Sequence, residues 1–288
     1  YITASGGPFR NTSFKNFKNI KINQATNHPT WKMGKKISID SATLVNKLFE
    51  VIEAQRLFDI DINKELIEKI YLTASGGPFL NKPLNKLKDV SSKQAIKHPN
   101  WKMGKKISID SATMMNKVFE IIEAKKIFNL SYKKLSILIH PKSYVHAMIK
   151  FKNGLIKIVA HDTNMKIPIF NSLYSSNNFM NSKKLNLKIL NNLEFKEINY
   201  KRFSVIKILN KLPENSSLFE TILVSINDKL VELFLANKIK FTDISKKMHS
   251  ILDLKELKKY KLIKPRKIND IIFLDNKIRN KMETKNKI

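Results

Sequence analysis

The sequence predicts an α/β (α+β) domain followed by a small C-terminal α-helical domain. Three observations carry this. Residues 135–162 (LSILIHPKSYVHAMIKFKNGLIKIVAHD) break into short apolar runs with two-residue alternation, the pattern of strands. Residues 67–72 form another short apolar run, which ends in a Gly-Gly-Pro turn. Beyond residue 200 the period changes: Phe219, Ile222, Leu223, Ile226, Leu230, Leu233 and Phe234 recur at helical spacing across residues 218–236.

Taken in order, residues 67–72 read as a strand. Ala74-Ser75-Gly76-Gly77-Pro78 reads as a tight turn in which two glycines can bring backbone N–H groups close to an anion. A plain strand-ending turn explains it equally. Asp110-Ser111-Ala112-Thr113 precedes a helix over residues 114–128, with Ser111 expected as N-cap and Met115, Val118, Phe119 and Ile122 as the apolar face. Asn116, Lys117 and Glu120 project together from another side of that helix. An amide, an ammonium and a carboxylate beside a helix N-terminus suit a phosphorylated ligand; an N-capped surface helix with a Lys–Glu pair is the competing explanation. Residues 177–200 read as an irregular linker, and further helices are expected over 241–254 and 268–281.

A repeat organises the first half. Residues 1–9 (YITASGGPF) return as residues 71–79 (YLTASGGPF). Residues 28–54 return as 98–124, changed only at Thr30/Asn100, Leu44/Met114, Val45/Met115, Leu48/Val118 and Val51/Ile121. Two copies are too few for a solenoid, so a duplicated piece of one domain is expected. The second copy continues into the strand-forming region and is expected to be the embedded one. The predicted organisation is therefore a partial duplicate over 1–70, the main domain over 71–176, the linker over 177–200 and the helical domain over 201–288.

Composition excludes several classes. Hydrophobic residues make up 42% and charged residues 27%, as in folded soluble proteins. No apolar run approaches bilayer length. Cysteine is absent, which removes disulfides, thiolate metal sites and a Cys nucleophile, and fits a reducing compartment. The net charge of +30 invites a nucleic-acid partner, but the lysines are scattered through every segment and form no stripe interleaved with aromatics.

The ordered motifs carry more. Thr73-Ala74-Ser75-Gly76-Gly77-Pro78-Phe79, the long stretch from His98-Pro99-Asn100-Trp101-Lys102-Met103-Gly104 through Asp110-Ser111-Ala112-Thr113 to Asn116-Lys117 and Glu120, and Ile139-His140-Pro141 followed by Ser143 and His146 resemble the 1-deoxy-D-xylulose 5-phosphate reductoisomerase family. The likeness runs from residue 71 to about residue 254. It implies a metal-assisted rearrangement of a ketose phosphate and reduction by NADPH, giving 2-C-methyl-D-erythritol 4-phosphate in isoprenoid precursor biosynthesis. It also implies a bacterial cytoplasmic setting, a homodimer, a small sugar-phosphate substrate, and neither membrane nor specific nucleic acid as partner.

By the same resemblance, Ser75, Ser111, Asn116 and Lys117 hold the phosphate and hydroxyls of the substrate. His98, Trp101 and Met103 belong to a loop that closes over it. Glu120 is one ligand of Mg²⁺ or Mn²⁺, and Met103, Gly104 and Met165 lie near the cofactor. The first copy holds the equivalents Ser5, His28, Trp31, Ser41, Asn46, Lys47 and Glu50.

Departures from the family pattern set further expectations. No G-x-G-x-x-G occurs, so the NADPH-binding domain and an Asp-Ser-Glu segment with the other metal ligands are expected upstream of residue 1. The chain opens on Tyr1, which places any targeting peptide outside this sequence. Val118 (Leu48 in the first copy) stands where the family has Gly, and His161-Asp162-Thr163 replaces a more acidic stretch. A non-catalytic remnant keeping the fold and a basic nucleic-acid-binding protein remain as alternatives.

Overall fold

The computed structural model describes residues 66–97, 104–164, 166–173, 183–184 and 186–284, with isolated positions before residue 25. Its main elements in chain order are β1 (Ile67–Ala74), α1 (Lys105–Thr113), α2 (Met115–Phe128), β2 (Leu135–Ile139), β3 (Val145–Phe151), β4 (Ile156–Ala160), α3 (Lys166–Leu173), α4 (Phe219–Leu235), α5 (Phe241–Leu252) and α6 (Ile268–Thr284). The chain divides into two compact units: Tyr1–Ser75, Asn100–Lys105 and Glu123–Lys196 form the first, and Gly76–Pro99, Lys106–Ile122 and Glu197–Ile288 the second. The division falls within α2.

The first unit holds a mixed four-stranded sheet in the order β2-β1-β3-β4. β1 pairs parallel with β2 and antiparallel with β3, and β3 pairs antiparallel with β4. The alternation seen in the sequence sets one face. Leu135, Ile137 and Ile139 of β2 and Val145, Ala147 and Ile149 of β3 are all buried, and Ile70 of β1 stands opposite both Leu135 and Ile149. β4 is the edge strand, and its Ile156 and Ile158 are exposed. The strand-ending turn is fixed by His140, whose backbone N–H donates to Ala74 O at 2.7 Å. The side chain of the same residue is used as well: its imidazole Nδ1 meets Glu194 O at 2.8 Å and its ring stacks on Phe195. Reciprocal backbone hydrogen bonds between Ile139 and Lys196 add a short bridge beside this contact.

The second unit is helical. α4 is the amphipathic stripe expected from the sequence, and Phe219, Ile222, Leu223, Ile226, Leu230 and Val231 are fully or almost fully buried. Its start is capped reciprocally: Ser217 Oγ accepts from the Phe219 N–H, and the Glu220 carboxylate accepts from the Ser217 N–H and hydroxyl. Its end is a Schellman turn with Asn237 at φ +57°, where Lys238 N–H reaches Leu233 O and Asn237 N–H reaches Phe234 O. α5 and α6 follow within a few residues of the expected ranges.

One expectation changes. Ser111 is not an N-cap: it lies buried in the last turn of α1, a helix that begins at Lys105. The break comes later, at Met114, whose φ of +69° is left-handed, and Thr113 Oγ1 accepts from the Met115 N–H at the start of α2. The apolar face also shifts. Met115, Val118, Ile121 and Ile122 are buried, whereas Phe119 is only half-buried, with the Lys106 ammonium over its ring at 5.6 Å.

Candidate active site

The α1–α2 elbow of the second unit carries four of the expected residues: Ser111, Asn116, Lys117 and Glu120. Ser111 is buried beside the glycine turn. Gly77, at φ +66°, packs so closely that a Cβ there would lie 2.8 Å from Ser111 O and 3.0 Å from Ala112 Cα. The turn is held from its other end by Arg202, whose Nη1 donates to Phe79 O at 2.6 Å, while the Phe79 ring meets Phe241 edge-on. Burial lowers the Arg202 pKa from its ordinary value.

On the first turns of α2, Lys117 Nζ meets Glu120 Oε2 at 2.5 Å, and Asn116 Nδ2 donates to the other carboxylate oxygen at 3.5 Å. Lys117 is mostly buried and the Glu120 side chain is 39% exposed. The Asn116 carbonyl oxygen is buried without a hydrogen-bond donor among the described residues. A buried acceptor left bare costs free energy, so this oxygen is set for a donor or a cation that arrives from outside. The cluster thus presents an ammonium, an amide and one hard carboxylate together. That donor set fits a phosphorylated polyol and one share of a divalent-ion site. Among the described residues no group of three or more carboxylates or imidazoles gathers to hold a metal.

Ser75 lies at the end of β1 in the first unit, half-buried, and Gly104 stands immediately before α1. His98, Trp101, Met103 and Met165 lie outside the described residues, as do Ser5, His28, Trp31, Ser41, Asn46, Lys47 and Glu50 of the first copy.

Several residues that shape the elbow are not evident in the sequence pattern. Half-buried Lys106 and buried Asp110 form an ion pair at 2.7 Å. Their spacing of one helical turn is the signal that could have found them, but it normally marks a solvated face. Their partners on α4, Asn227 and Asp228, carry no local signal at all. In the first unit, His146 stacks on His161 with ring centroids 3.7 Å apart.

Comparison with known proteins identifies the family. The model of the 1-deoxy-D-xylulose 5-phosphate reductoisomerase C-terminal domain matches residues 1–58 and 60–128, following the repeat. A second model, the DXP reductoisomerase C-terminal domain, matches residues 162–281. The reductoisomerase of Pelagibacter ubique is 60% identical over 227 residues, covering 78% of this chain and 58% of that protein. That of Persephonella marina is 42% identical over 212 residues, covering 73% and 56%. A crystal structure of DOX-P reductoisomerase in complex with NADPH, fosmidomycin and magnesium superposes with a TM-score of 0.70 at 33% identity, covering 80% of this chain and 58% of that one. This chain therefore spans somewhat over half the length of the relatives it matches. It belongs to the 1-deoxy-D-xylulose 5-phosphate reductoisomerase family, whose C-terminal regions it carries.

Proposed function

We propose that this chain is the substrate-holding part of a 1-deoxy-D-xylulose 5-phosphate reductoisomerase, a cytoplasmic bacterial enzyme acting as a homodimer. The observation that carries this is the Asn116–Lys117–Glu120 cluster, with its buried amide oxygen that has no donor among the described residues. Lys117 supplies a charge-assisted contact to the substrate phosphate, and Asn116 and Ser111 supply neutral partners to phosphate or hydroxyl oxygens. The family resemblance, not the described geometry, assigns His98, Trp101 and Met103 to a loop closing over the ligand and Gly104 and Met165 to the neighbourhood of the nicotinamide.

Glu120 has the chemistry of one Mg²⁺ or Mn²⁺ ligand. To hold the ion it would give up its ion pair with Lys117, leaving that ammonium to the phosphate. When bound, the metal polarises the carbonyl and hydroxyl oxygens of the ketose, and NADPH supplies the hydride. The remaining carboxylate ligands and the nucleotide site come from outside the described residues.

The exposed edge of β4, with Leu155, Ile156 and Ile158 open to solvent, supports pairing of two copies. Among the described residues no helix is long and apolar enough to cross a membrane. The scattered positive charge adds nothing specific for nucleic acid.

Calorimetric titration tests the proposal. The wild-type chain is expected to bind inorganic phosphate and fosmidomycin. Lys117→Ala should lose phosphate, while Glu120→Gln should keep phosphate and lose any enhancement by Mg²⁺. Absence of phosphate binding by the wild-type chain, or binding indifferent to Lys117, overturns it.

A further inference from the structure

The Lys106–Asp110 pair is the first link of a longer path. Asp110 Oδ2 accepts from Lys106 Nζ at 2.7 Å, and Asp110 Oδ1 accepts from Asn227 Nδ2 of α4 at 2.8 Å. Lys106 Nζ also lies 3.0 Å from Asp228 Oδ1. The second oxygen of Asp228 accepts from Arg279 Nη2 of α6 at 2.8 Å. Arg279 Nε in turn meets both oxygens of Asp275 at 2.9 Å, and Asp275 Oδ1 accepts from the Ser225 hydroxyl. Charged hydrogen bonds therefore lace α1, α4 and α6 together, all within the second unit.

The inner members of this path are out of water. Asp110 is 4% exposed and Asn227 0%. Burial alone would lower the Lys106 pKa, but Asp110 and Asp228 outweigh it and push the ammonium up to about 12. Burial pushes Asp110 up, against the opposing pull of Lys106 and Asn227.

Apolar side chains would join three helices with less desolvation cost than these ions. What ions and amides add is direction, since each hydrogen bond fixes both distance and angle. The direction matters at Asp110 because the next residue is Ser111, and the left-handed Met114 and the Asn116–Lys117–Glu120 cluster follow within the next ten residues. A rotation of α1 about its axis would swing Ser111 and drive its carbonyl against Gly77.

We propose that Lys106 and Asp110, gripped by Asn227 and Asp228, are positioning residues that set the rotation of α1 and so the geometry of the elbow bearing Ser111, Asn116 and Lys117. The C-terminal helices then serve as the template for the anion site. The consequence for ligand binding rests on the proposed function above, whereas the positioning itself does not.

Amide hydrogen exchange on the 288-residue chain tests the two separately. Asp110→Asn sets an amide N–H₂ against either the Lys106 or the Asn227 donor, and Asn227→Ala is a milder variant should Asp110→Asn fail to fold. Met248→Ala, in the buried part of α5, is the matched control for general loss of stability. In Asp110→Asn or Asn227→Ala, exchange across residues 111–120 should accelerate about tenfold beyond the change in α5, as expected for one lost hydrogen bond to a charged group. Met248→Ala should show the reverse bias. Affinity for inorganic phosphate should fall in both network variants, stay unchanged in Met248→Ala, and be recovered in part by Lys106→Arg relative to Lys106→Met. Uniform acceleration, or an unaltered elbow, overturns the positioning role. Ser111→Ala run in parallel isolates the other premise: if it leaves phosphate binding intact, Ser111 is no anion ligand, and the exchange data alone decide the role of the network.

Discussion

Gly77 lies against the carbonyl of Ser111, close enough that no side chain fits between the glycine turn and the last turn of α1. Both a positive φ and a backbone obstacle exclude a Cβ at this position. Gly77→Ala is therefore expected to cost about 2–4 kcal/mol, combining left-handed strain with a collision that only backbone movement can relieve. Gly154, at φ +87°, where an added Cβ would meet no atom of the described residues within 4 Å, provides the comparison. Gly154→Ala should cost only about 1 kcal/mol, from conformation alone. Urea unfolding of the two variants measures the difference. Equal losses would mean that the contact with Ser111 is not decisive.

The contrast between these residues and others shows what a sequence can reveal. The stripe of α4 was legible because Phe219, Ile222, Ile226 and Leu230 recur at helical period over a long element. The strands of the sheet were legible through two-residue alternation at Leu135, Ile137 and Ile139. Lys117 and Glu120 were legible as a pair because both lie on one helix. α1 was not. Ile107 and Ile109 lower its helix propensity, and a Lys–Asp pair one helical turn apart ordinarily marks a solvated face, whereas Asp110 is buried and Lys106 half-buried. Ser111 in turn looked like a cap because an Asp-Ser-Ala-Thr stretch resembles a helix start. A left-handed Met114 has no local signature: the packing around it imposes the break.

Glu120 separates stability from function. Its side chain is 39% exposed and its ion pair with Lys117 is local, so Glu120→Gln should change unfolding free energy by less than about 1 kcal/mol. In an enzyme assembled with a family-type NADPH-binding half, the same change should remove most turnover while leaving phosphate affinity nearly intact. NADPH oxidation beside a phosphate titration checks both. A large loss of stability would instead assign Glu120 a structural role.

His161 gives an acid-side prediction. Burial lowers its pKa from the ordinary 6.5, against the opposing hydrogen bond and charge of Asp162, and His146 is stacked on its ring. The folded chain thus resists a proton that the unfolded chain accepts. Its contribution to stability is whole above pH 6.5 and declines as pH falls through the window below that value. His161→Asn should flatten the slope of stability against pH on that side. Urea midpoints at about pH 5 and about pH 7 measure it, in the range where imidazoles titrate. An unchanged slope would show that other groups govern acid sensitivity.

The repeat predicts where the chain can be cut. α1 and most of α2 lie in the second copy and β1 starts just ahead of it at Ile67, so removal of residues 1–65 should leave a soluble protein with one cooperative transition. Removal of residues 1–70 should not. It takes Ile67 and Ile70, 3% and 2% exposed, from the strand that lies between β2 and β3. Losing two core side chains and half of a central strand is expected to abolish cooperative unfolding. Circular dichroism during urea titration distinguishes the two truncations.

Which copy works is decided by paired substitutions. The first copy repeats Trp31, Lys47 and Glu50 at the positions of Trp101, Lys117 and Glu120, so composition cannot separate them. Context can. A binding constellation needs the elements that hold it, and only the second copy runs on directly into β2, β3 and β4. In the assembled enzyme, Lys117→Ala should raise KM by removing a charge-assisted phosphate contact, and Glu120→Gln should lower kcat. Trp101→Ala should affect both, because loop closure governs binding and water exclusion together. Trp31→Ala, Lys47→Ala and Glu50→Gln should be nearly silent, since the first copy is not followed in the sequence by the strand-forming segment of residues 135–162. Steady-state NADPH oxidation on the six variants gives the answer. Loss confined to the first copy would move the active site to residues 28–54.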